Sequence, residues 1–444
     1  MNRISFSGIL VLTSLALSAA TLSDVTFEQS WPWSKLCRGS YTLTGASSPV
    51  DVVVEATGEN GRIRLPMTAF DGSFFGVTDG THPFTFDPTA FGYTNNTVLT
   101  GFSLSLTVQG EAAADAGLYM VIDLAQAKAG NAAGAVSYCN APDLGADGWS
   151  DVYKTTKLVM RRIPAGTFMM GAPSNELGNA TNADHPAREK QRVVTISQPF
   201  WISVFEVTQK QLETVLGSRE AIFPYTYLTN DTYYAKRPVD RINYNTLRGT
   251  SDGAQYPTKT AVDSDSVLGS FQALLDGAIA FDLPTEAQWE YACRAGAATA
   301  FCNGGSPTES SASYDNYANA VARWRSSTTV TDANCGSLDT TVGTAEVGSY
   351  QPNAWGLYDM HGNVTEWTRD YGVLDVLDGD PDTDPVFPSS RAVSGFYRSI
   401  RGGDYTAAAL GNRQCLRCAA RAIANPGTNA ANTHHGIRLY APVN

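Results

Sequence analysis

Charged side chains are scarce in this 444-residue chain, and cationic ones are scarcer than acidic ones. Asp, Glu, Lys and Arg make up 17% of the residues, the net charge is -12 at pH 7, and Lys and Arg never form a long run. Nucleic-acid binding depends on a clustered cationic surface that neutralises phosphates. We therefore expect no nucleic-acid partner.

Long apolar runs are also missing, apart from a short one at the N-terminus. Arg3 gives this segment a positive start, residues 9–17 form its apolar core, and Ser18 and Ala20 are small residues suited to cleavage. This order is typical of an export signal, which we assign to residues 1–20. A membrane anchor is the alternative, but the run is too short to span a bilayer comfortably. We expect no transmembrane span after signal removal, and a secreted, periplasmic or cell-surface location.

Cysteine is infrequent, with seven residues in the whole chain. An odd number leaves at least one thiol free or paired outside the chain, and an exported chain can form disulfides. Cys293 and Cys418 are candidates for disulfide formation. Cys302 and Cys335 flank a loop region and are candidates for another bridge.

Glycine and proline are abundant, with 40 and 21 residues, which indicates a turn-rich chain. Residues 21–125 contain short runs rich in β-branched residues, and the pair Asn60-Gly61 between two of them is a strong hairpin signal. We predict an all-β sandwich over 21–125 and a linker rich in Ala, Gly and Asp over 126–153. The second domain then covers 154–444, and a fragment starting near Asp151 is expected to fold alone.

Two helices in the second domain have clear start and stop signals. Thr208 with Gln211, and Thr285 with Gln288, form capping boxes. Glycines at 217 and 296 are expected to end these helices. The remainder is loop-rich, so hydrophobic periodicity alone does not predict its fold.

Four segments carry a resemblance to a known family. They are Leu-Pro-Thr-Glu-Ala-Gln-Trp-Glu-Tyr-Ala at 283–292, Asn-Ala-Trp-Gly-Leu-Tyr-Asp-Met-His-Gly-Asn-Val-Thr-Glu-Trp at 353–367, Arg-Gly-Gly-Asp-Tyr at 401–405 and Arg-Cys-Ala-Ala-Arg at 417–421. Over about 154–444 the chain resembles the formylglycine-generating enzyme, or sulfatase-modifying factor, family. The resemblance implies an α+β fold class: a complex C-type-lectin-like domain, here preceded by the all-β sandwich.

The resemblance also implies a chemistry from which this chain departs. The family oxidises a sulfatase cysteine to formylglycine, using oxygen and a copper ion held by two thiolates, and soft thiolates select Cu(I). The two thiol positions fall near Ala407 and Arg413, and Asp404 replaces a serine that usually follows the Gly-Gly pair. We therefore assign no catalytic residue and expect no copper.

The two nearby cysteines do not restore the reactive pair. Cys418 matches the family's Arg-Cys-Ala-Ala-Arg cysteine, which lies outside that pair, and Cys415 matches no reactive position. Together they could form a Cys-x-x-Cys redox site. No βαβ context surrounds them, however, and an exported compartment favours structural bridges.

Calcium is the cofactor that we expect. Asp359 and Glu366 supply carboxylates, and Gly362 and Val364 supply backbone oxygens, which gives four hard ligands in one short segment. The resemblance implies a calcium site at these four residues; the alternative is that the two acids are turn and surface residues. A second family calcium site is expected at Asn319 and Ala320, with Asp332 as a further ligand.

The segment 422–433 borders the substrate groove in the family. It is rich in Asn, Ala and Thr, whose small polar side chains suit adaptable hydrogen bonding. The candidate groove residues are Asp404, Tyr405, Asn425, Asn429 and Asn432. The alternative is a solvated loop with no specific role.

The histidines are weak signals. His361, His434 and His435 lie in loop-like segments, where a histidine is usually part of the polar surface, and no spacing suggests a catalytic triad.

Three functions are compatible with this sequence. The favoured hypothesis is an exported, non-catalytic protein that holds a peptide, a glycan or a surface partner in the family groove. One alternative is an active sulfatase-modifying enzyme with an altered mechanism. The other is a structural or adhesive surface protein whose sandwich domain makes the interaction.

Overall fold

A computed structural model describes most of the chain. The described residues are 10–12, 20–29, 36–47, 49–58, 63–65, 69–87, 102–109, 117–142, 149–176, 188–218, 234–251, 261–305, 317–324, 343–377, 379–392, 397–406, 413–427 and 434–443. None of the helices in these ranges is long and apolar enough to cross a bilayer. The predicted signal peptide lies largely outside them.

The chain contains short strands and few helices, as its glycine and proline content indicates. The strands are β1 (Leu10–Leu12), β2 (Thr21–Gln29), β3 (Cys37–Thr44), β4 (Asp51–Gly58), β5 (Ile63–Leu65), β6 (Phe70–Gly72), β7 (Gly80–Phe86), β8 (Ser103–Gln109), β9 (Tyr119–Asp123), β10 (Val136–Cys139), β11 (Lys157–Ile163), β12 (Gly166–Met170), β13 (Arg192–Ile196), β14 (Phe200–Ser203), β15 (Ala322–Arg323), β16 (His361–Gly362), β17 (Thr365–Tyr371), β18 (Arg398–Arg401), β19 (Ala422–Ala424), β20 (His435–Gly436) and β21 (Tyr440–Pro442). The α-helices are α1 (Leu124–Lys128), α2 (Val152–Thr155), α3 (Gln209–Leu216), α4 (Tyr244–Arg248), α5 (Val267–Leu274) and α6 (Glu286–Arg294), with short 3-10 turns at Tyr234–Lys236, Ser389–Arg391 and Arg413–Leu416.

The N-terminal region is all-β, as the sequence predicts. It has two four-stranded sheets, with strand orders β2-β3-β7-β6 and β1-β8-β4-β5. The strands on either side of Asn60-Gly61 pair antiparallel, from Ala56 with Leu65 to Gly58 with Ile63, although the turn itself lies outside the described residues. A shared core, which includes Tyr41, Val54 and Leu104, fills the sandwich.

The strand β9 joins a different sheet from the one that the sequence analysis assigned to it. It pairs antiparallel with β11 of the C-terminal region, and β10 adds to its other edge, giving the order β10-β9-β11-β14-β21. Met120 and Ile122 are buried there with Leu158 and Met160. The apolar pattern of 118–124 suits either sheet, so only long-range pairing decides the partner.

The predicted linker over 126–153 is therefore structured at several points. It contains most of α1, all of β10 and the start of α2. The side chain of Trp149 packs edge-to-face on Tyr153 and Phe205, at 5.2 and 5.5 Å between ring centroids. A fragment starting near Asp151 would lack β9 and β10, two strands of the five-stranded sheet, so we now expect it to fold poorly on its own.

The predicted helix starts are confirmed. The side chain of Thr208 accepts from the Gln211 backbone before α3, Thr285 does the same for Gln288 before α6, and both capping boxes are complete. Gly217 ends α3 in the left-handed conformation. For α6 the left-handed cap is Ala295, with φ 44°, one residue before the predicted glycine.

The sandwich and the C-terminal region are packed against each other. A buried ion pair joins Asp51 on β4 to Arg161 on β11. Beside it, Phe75 stacks edge-to-face on Trp355 at 5.1 Å. The sandwich therefore contacts the same segment that carries the most specific sequence motif.

A small sheet with the order β19-β18-β17-β20 lies next to α6. Residues of the 353–367 segment lie on β16 and β17, Arg401 ends β18, and the Arg-Cys-Ala-Ala-Arg segment precedes β19. The fold thus places the four family-like segments in one region.

Candidate functional site

A buried ionic network holds these segments together. Glu290 on α6 pairs with Arg294 at 2.8 Å and with Arg401 at 2.7 Å, and Glu286 pairs with Arg401 at 3.0 Å and with Arg421 at 2.7 Å. Burial opposes the charged form of Glu286, but Arg421 and Arg401 outweigh it and lower the pKa of this carboxyl to about 2. The network connects α6 to β18 and to the segment before β19.

Another buried arginine, Arg438, contacts two residues of the predicted calcium region, Tyr358 and Glu366. Arg438 contacts both oxygens of Glu366 at 2.8–2.9 Å and donates to the carbonyl of Tyr358 at 2.8 Å. The indole of Trp289 also donates to Glu366, at 2.5 Å. Glu366 is therefore fully buried and engaged by protein donors, and the alternative that it is a surface acid is wrong.

Asp359 is differently placed. Its Oδ2 accepts from the backbone N–H of Gly348 at 2.7 Å, whereas its Oδ1 is buried with no partner among the described residues. Burial raises the pKa of Asp359 to about 6, although Gly348 and Arg438 oppose this shift. A buried oxygen without a donor is the kind of group that a cation satisfies.

Glu206, which the sequence analysis did not single out, adds a third buried carboxylate. It accepts from the side chain of Asn363 at 2.6 Å and from the backbone of Val364 at 3.2 Å. Burial, together with Asp359 and Glu366, raises its pKa well above the usual range, and Arg438 only partly offsets this. Three carboxyl groups around one guanidinium cannot all ionise readily without a further cation, as the raised pKa values of Glu206 and Asp359 indicate.

Gly362 is required for the backbone at this site. It has φ 75°, and a Cβ there would lie 2.1 Å from the Arg323 carbonyl oxygen. Its N–H donates to the Gly402 carbonyl at 2.8 Å, which fixes the loop against the end of β18.

The second predicted calcium site is only partly described. The side-chain oxygen of Asn319 accepts from the Trp324 indole at 3.0 Å, and the Ala320 carbonyl accepts from the Gln351 N–H at 2.9 Å. Asp332 lies outside the described residues. The two described candidates thus have protein partners.

The candidate groove residues are not all brought together. Tyr405 is buried, with its ring 4.6 Å from that of His434, and Asp404 acts electrostatically on the same histidine. Asn425 follows β19, which runs antiparallel to β18, so it lies at the opposite end of that strand pair. Asn429 and Asn432 lie outside the described residues.

The two histidines near the groove are kept neutral. Burial lowers the pKa of His434; Asp404 opposes the shift and Arg241 adds to it. Burial and the neighbouring His434 lower the pKa of His435 to about 4. The Nδ1 of His434 is buried without a partner in the described part of the chain.

The structure describes only the end of the segment in which the family thiols are expected. Ala407 lies outside the described residues, and Arg413 begins the short turn that contains Cys415. The Cys415 sulfur lies beside Gly403, 2.9 Å from where a Cβ would be. Burial and then Asp404 raise its pKa to about 12, so this thiol is neutral near pH 7.

Cys418 has different neighbours. Its sulfur lies 3.6 Å from that of Cys293, and Nε2 of His361 lies 3.8 Å from the Cys293 sulfur. All three residues are buried, and their ligand atoms lie within 4.8 Å of one another. None of the six described cysteines forms a disulfide; Cys335 lies outside the described residues.

His361 is therefore a residue that the sequence analysis misjudged. It is 1% exposed, its Nδ1 lies 2.7 Å from the Leu416 carbonyl oxygen, and Nε2 accepts from the Cys302 backbone N–H at 3.2 Å. The sequence signal was that His361 and Cys418 lie in two of the family-like segments and that Cys293 directly follows a third.

The thiols and the imidazole shift each other's titration. Burial opposes both charges, but the hydrogen bond from Cys293 and the charge of His361 hold the pKa of Cys418 well below its usual range. Cys302 and Cys418 in turn raise the pKa of His361. This favours an ion pair, whereas the Cys302 amide requires an unprotonated Nε2. Because a backbone N–H cannot donate to a protonated nitrogen, this hydrogen bond favours a neutral ring, and the hydrogen bond from Cys293 is then the main contact that stabilises a Cys418 thiolate.

Comparison with known proteins agrees with these features. Residues 151–442 match the family described as sulfatase-modifying factor enzyme 1-like domain. The formylglycine-generating enzyme of Mus musculus is 27% identical over 297 residues, which are 62% of this chain and 73% of that protein. A similar enzyme from Streptomyces coelicolor is 34% identical over 158 residues, 34% of this chain and 44% of that protein.

Part of a protein kinase and two solved structures are also similar to this chain. The serine/threonine-protein kinase pkn1 of Chlamydia pneumoniae is 35% identical over 162 residues, 36% of this chain but only 21% of that protein. PvdO from Pseudomonas aeruginosa has a TM-score of 0.44 and 24% identity, covering 64% of this chain and 94% of that one. Treponema denticola variable protein 1 has a TM-score of 0.43 and 23% identity, covering 65% and 96%.

The family match covers well over half of the residues, and it begins and ends close to the boundaries that the sequence motifs predict. The chain belongs to the family of sulfatase-modifying factor enzyme 1-like domains.

Proposed function

We propose that this protein is an exported, non-catalytic member of the family, which binds a peptide, a glycan or a surface partner beside Asp404 and His434. The observation that carries the proposal is the state of the thiols. Cys415 is half-buried and its raised pKa keeps it neutral, and Cys418 is held in the interior by Cys293 and His361. A thiolate pair at the groove is therefore not formed by the described cysteines.

The family's copper ion does not fit the residues at its two thiol positions. Ala407 offers a methyl group and Arg413 a guanidinium, and neither is a ligand for a soft cation. We therefore assign no oxidase step to this chain.

Binding is supported by two polar side chains beside the groove, one of which has a buried nitrogen without a partner among the described residues. Nδ1 of His434 is buried without a partner within the described ranges, and Asp404 is half-buried beside it. Asp404 currently accepts from the backbone of Thr406 at 2.7 Å. A ligand with donor groups could bond to both side chains and displace water from a partly enclosed surface.

The binding proposal is tested by screening the full-length protein against peptide and glycan libraries. For the strongest ligand, Asp404→Ala is expected to weaken binding at least about tenfold, which corresponds to about 1.4 kcal/mol. Asn425→Ala is the matched control, because Asn425 is exposed at the other end of the strand pair, and it should leave the affinity unchanged. Equal affinities of the wild type and Asp404→Ala would place the binding surface elsewhere.

We also propose that calcium binds at Asp359, with the carbonyl oxygens of Gly362 and Val364. The free Oδ1 of Asp359 and the excess of buried carboxylate fit a hard cation. Glu366 fits less well, because Arg438 and Trp289 engage its oxygens. Its role in this proposal is to add negative charge.

Calcium is therefore expected to raise the melting temperature of the full-length protein relative to chelator. A ligand present at a hundredfold excess over its Kd adds about 2.7 kcal/mol to the free energy of unfolding. Asp359→Asn should abolish most of this gain in differential scanning calorimetry.

The control for this experiment is Asp276→Asn. Asp276 is exposed, and it shares the positive φ of Asp359, 52° against 57°, which Asn also tolerates. The change from Asp to Asn is therefore expected to affect the backbone similarly at 276 and at 359. A calcium response that survives in Asp359→Asn, or that is absent in the wild type, contradicts the proposal.

A further inference from the structure

The cluster of Cys293, His361 and Cys418 has the dimensions of a metal site. A tetrahedral ion with metal–sulfur bonds of about 2.3 Å holds neighbouring ligand atoms about 3.7 Å apart. The two sulfurs are 3.6 Å apart, and Nε2 lies 3.8 Å from the Cys293 sulfur. A disulfide would instead require the sulfurs to approach to about 2.05 Å.

The imidazole is oriented as a metal ligand requires. The Leu416 carbonyl can only accept, so Nδ1 carries the proton in the 2.7 Å hydrogen bond, which leaves Nε2 unprotonated at 3.8 Å from the Cys293 sulfur. Metal-binding histidines are commonly oriented by such a hydrogen bond from the other ring nitrogen.

The sulfur ligands are also held in place. Cys293 lies in the last turn of α6, and its carbonyl accepts from Asn353 at 3.1 Å. The backbone of Cys418 donates to the Ala300 carbonyl at 2.8 Å, and its own carbonyl accepts from Arg401 at 3.2 Å. Rigid ligands reduce the conformational entropy that metal binding would cost.

Cys302 offers a further thiol beside the cluster, and its sulfur would have to move closer to act as a fourth donor, because it is not among the ligand atoms that lie within 4.8 Å of one another. Its amide contacts Nε2 at 3.2 Å, its thiol acts on His361, and it is only partly buried. It thus lies on the side from which an ion can enter. When a metal binds to Nε2 of His361, the backbone N–H of Cys302 would lose its hydrogen bond to that nitrogen.

We propose that Cys293, His361 and Cys418, with Cys302 as the fourth ligand, form a structural site for a tetrahedral ion of the zinc class. Thiolate and imidazole ligands suit zinc, and a closed set of four protein ligands is typical of structural sites. Two or three thiolates also need a cation in a buried site, which a divalent ion supplies. The site would tie α6, the 353–367 segment and the Arg-Cys-Ala-Ala-Arg segment together.

The test uses full-length protein kept reduced and incubated with zinc, followed by removal of excess ion and elemental analysis. We expect one zinc per chain. Replacement by cobalt should give the strong thiolate-to-cobalt charge-transfer absorption. A protein without bound zinc, or cobalt spectra without thiolate bands, would overturn the proposal.

Substitutions identify the ligands. Cys418→Ser should weaken zinc binding by more than the roughly 10–100-fold that loss of an outer-shell partner costs. Cys302→Ser should also weaken it, and an unchanged affinity would remove Cys302 from the site. Cys139→Ser is the control, because Cys139 lies on β10 outside the cluster, and it should bind zinc as the wild type does.

Peptide mapping of the non-reduced protein separates a metal site from a bridge. Free Cys293 and Cys418 that become protected from alkylation when zinc is added support the proposal. A disulfide between them in the protein as isolated overturns it. Because mapping and cobalt spectra use the wild type, the proposal stays testable even if Cys418→Ser fails to fold.

Discussion

No formylglycine is expected when this protein is incubated with copper, oxygen and a peptide containing Cys-x-Pro-x-Arg. The family reaction needs two converging thiolates to hold Cu(I), and removal of both ligands removes the soft site. The two thiol positions fall near Ala407 and Arg413, and a guanidinium also repels a cation. Mass spectrometry of the peptide is expected to show only the unmodified cysteine.

The double substitution of Ala407→Cys with Arg413→Cys tests the reason for this result. It is expected to raise the affinity for Cu(I) above that of the wild type, measured by competition with a chromophoric chelator. Each single substitution is a control, since one thiolate cannot supply the pair. The wild-type protein provides the background from the Cys293 and Cys418 thiols.

Appearance of the aldehyde with wild-type protein would contradict the non-catalytic proposal. Loss of that product in Cys415→Ser would then identify Cys415 as a relocated reactive thiol. Cys415 is half-buried beside Gly403 and its pKa is raised, so this outcome is contrary to expectation, because the neutral thiol is a poor ligand for copper.

Glu290→Gln is expected to lower the free energy of unfolding by about 3–5 kcal/mol, because it removes the counter-charge paired with the buried Arg294 and one of the two paired with Arg401. Glu290 is fully buried and pairs with Arg294 and Arg401, and it also accepts from the Gly171 N–H at 2.8 Å. Burial opposes its charge, but Arg294 and Arg401 outweigh this and lower its pKa.

Urea unfolding followed by circular dichroism and by tryptophan fluorescence measures this loss. Glu213→Gln is the control, because the side chains of its pair with Lys210 are 19% and 36% exposed and such a pair contributes about 1 kcal/mol or less. A loss for Glu290→Gln as small as that for Glu213→Gln would show that the network does not hold α6 to β18.

The sequence by itself determined the family and the starts of two helices, and it carries the prediction that the reactive thiols are lost. These properties depend on residue identity at fixed spacing. Thr208 and Thr285 cap helices through hydrogen bonds three residues away, so neighbouring residues suffice to predict them. The two thiol positions are likewise placed near 407 and 413 from their distance along the chain to the Gly-Gly and Arg-Cys-Ala-Ala-Arg segments.

Only the tertiary structure decided which sheet β9 joins and what surrounds His361. An alternating apolar strand buries one face equally well in either sheet, and its partner β11 comes later in the chain. His361 looks like a polar loop residue until Cys293, Cys302 and Cys418 are placed around it from distant segments. The raised pKa of Glu206 likewise could not be predicted from the sequence. The cost of a buried charge depends on its neighbours, and only the fold brings Asp359, Glu366 and Arg438 near this carboxyl.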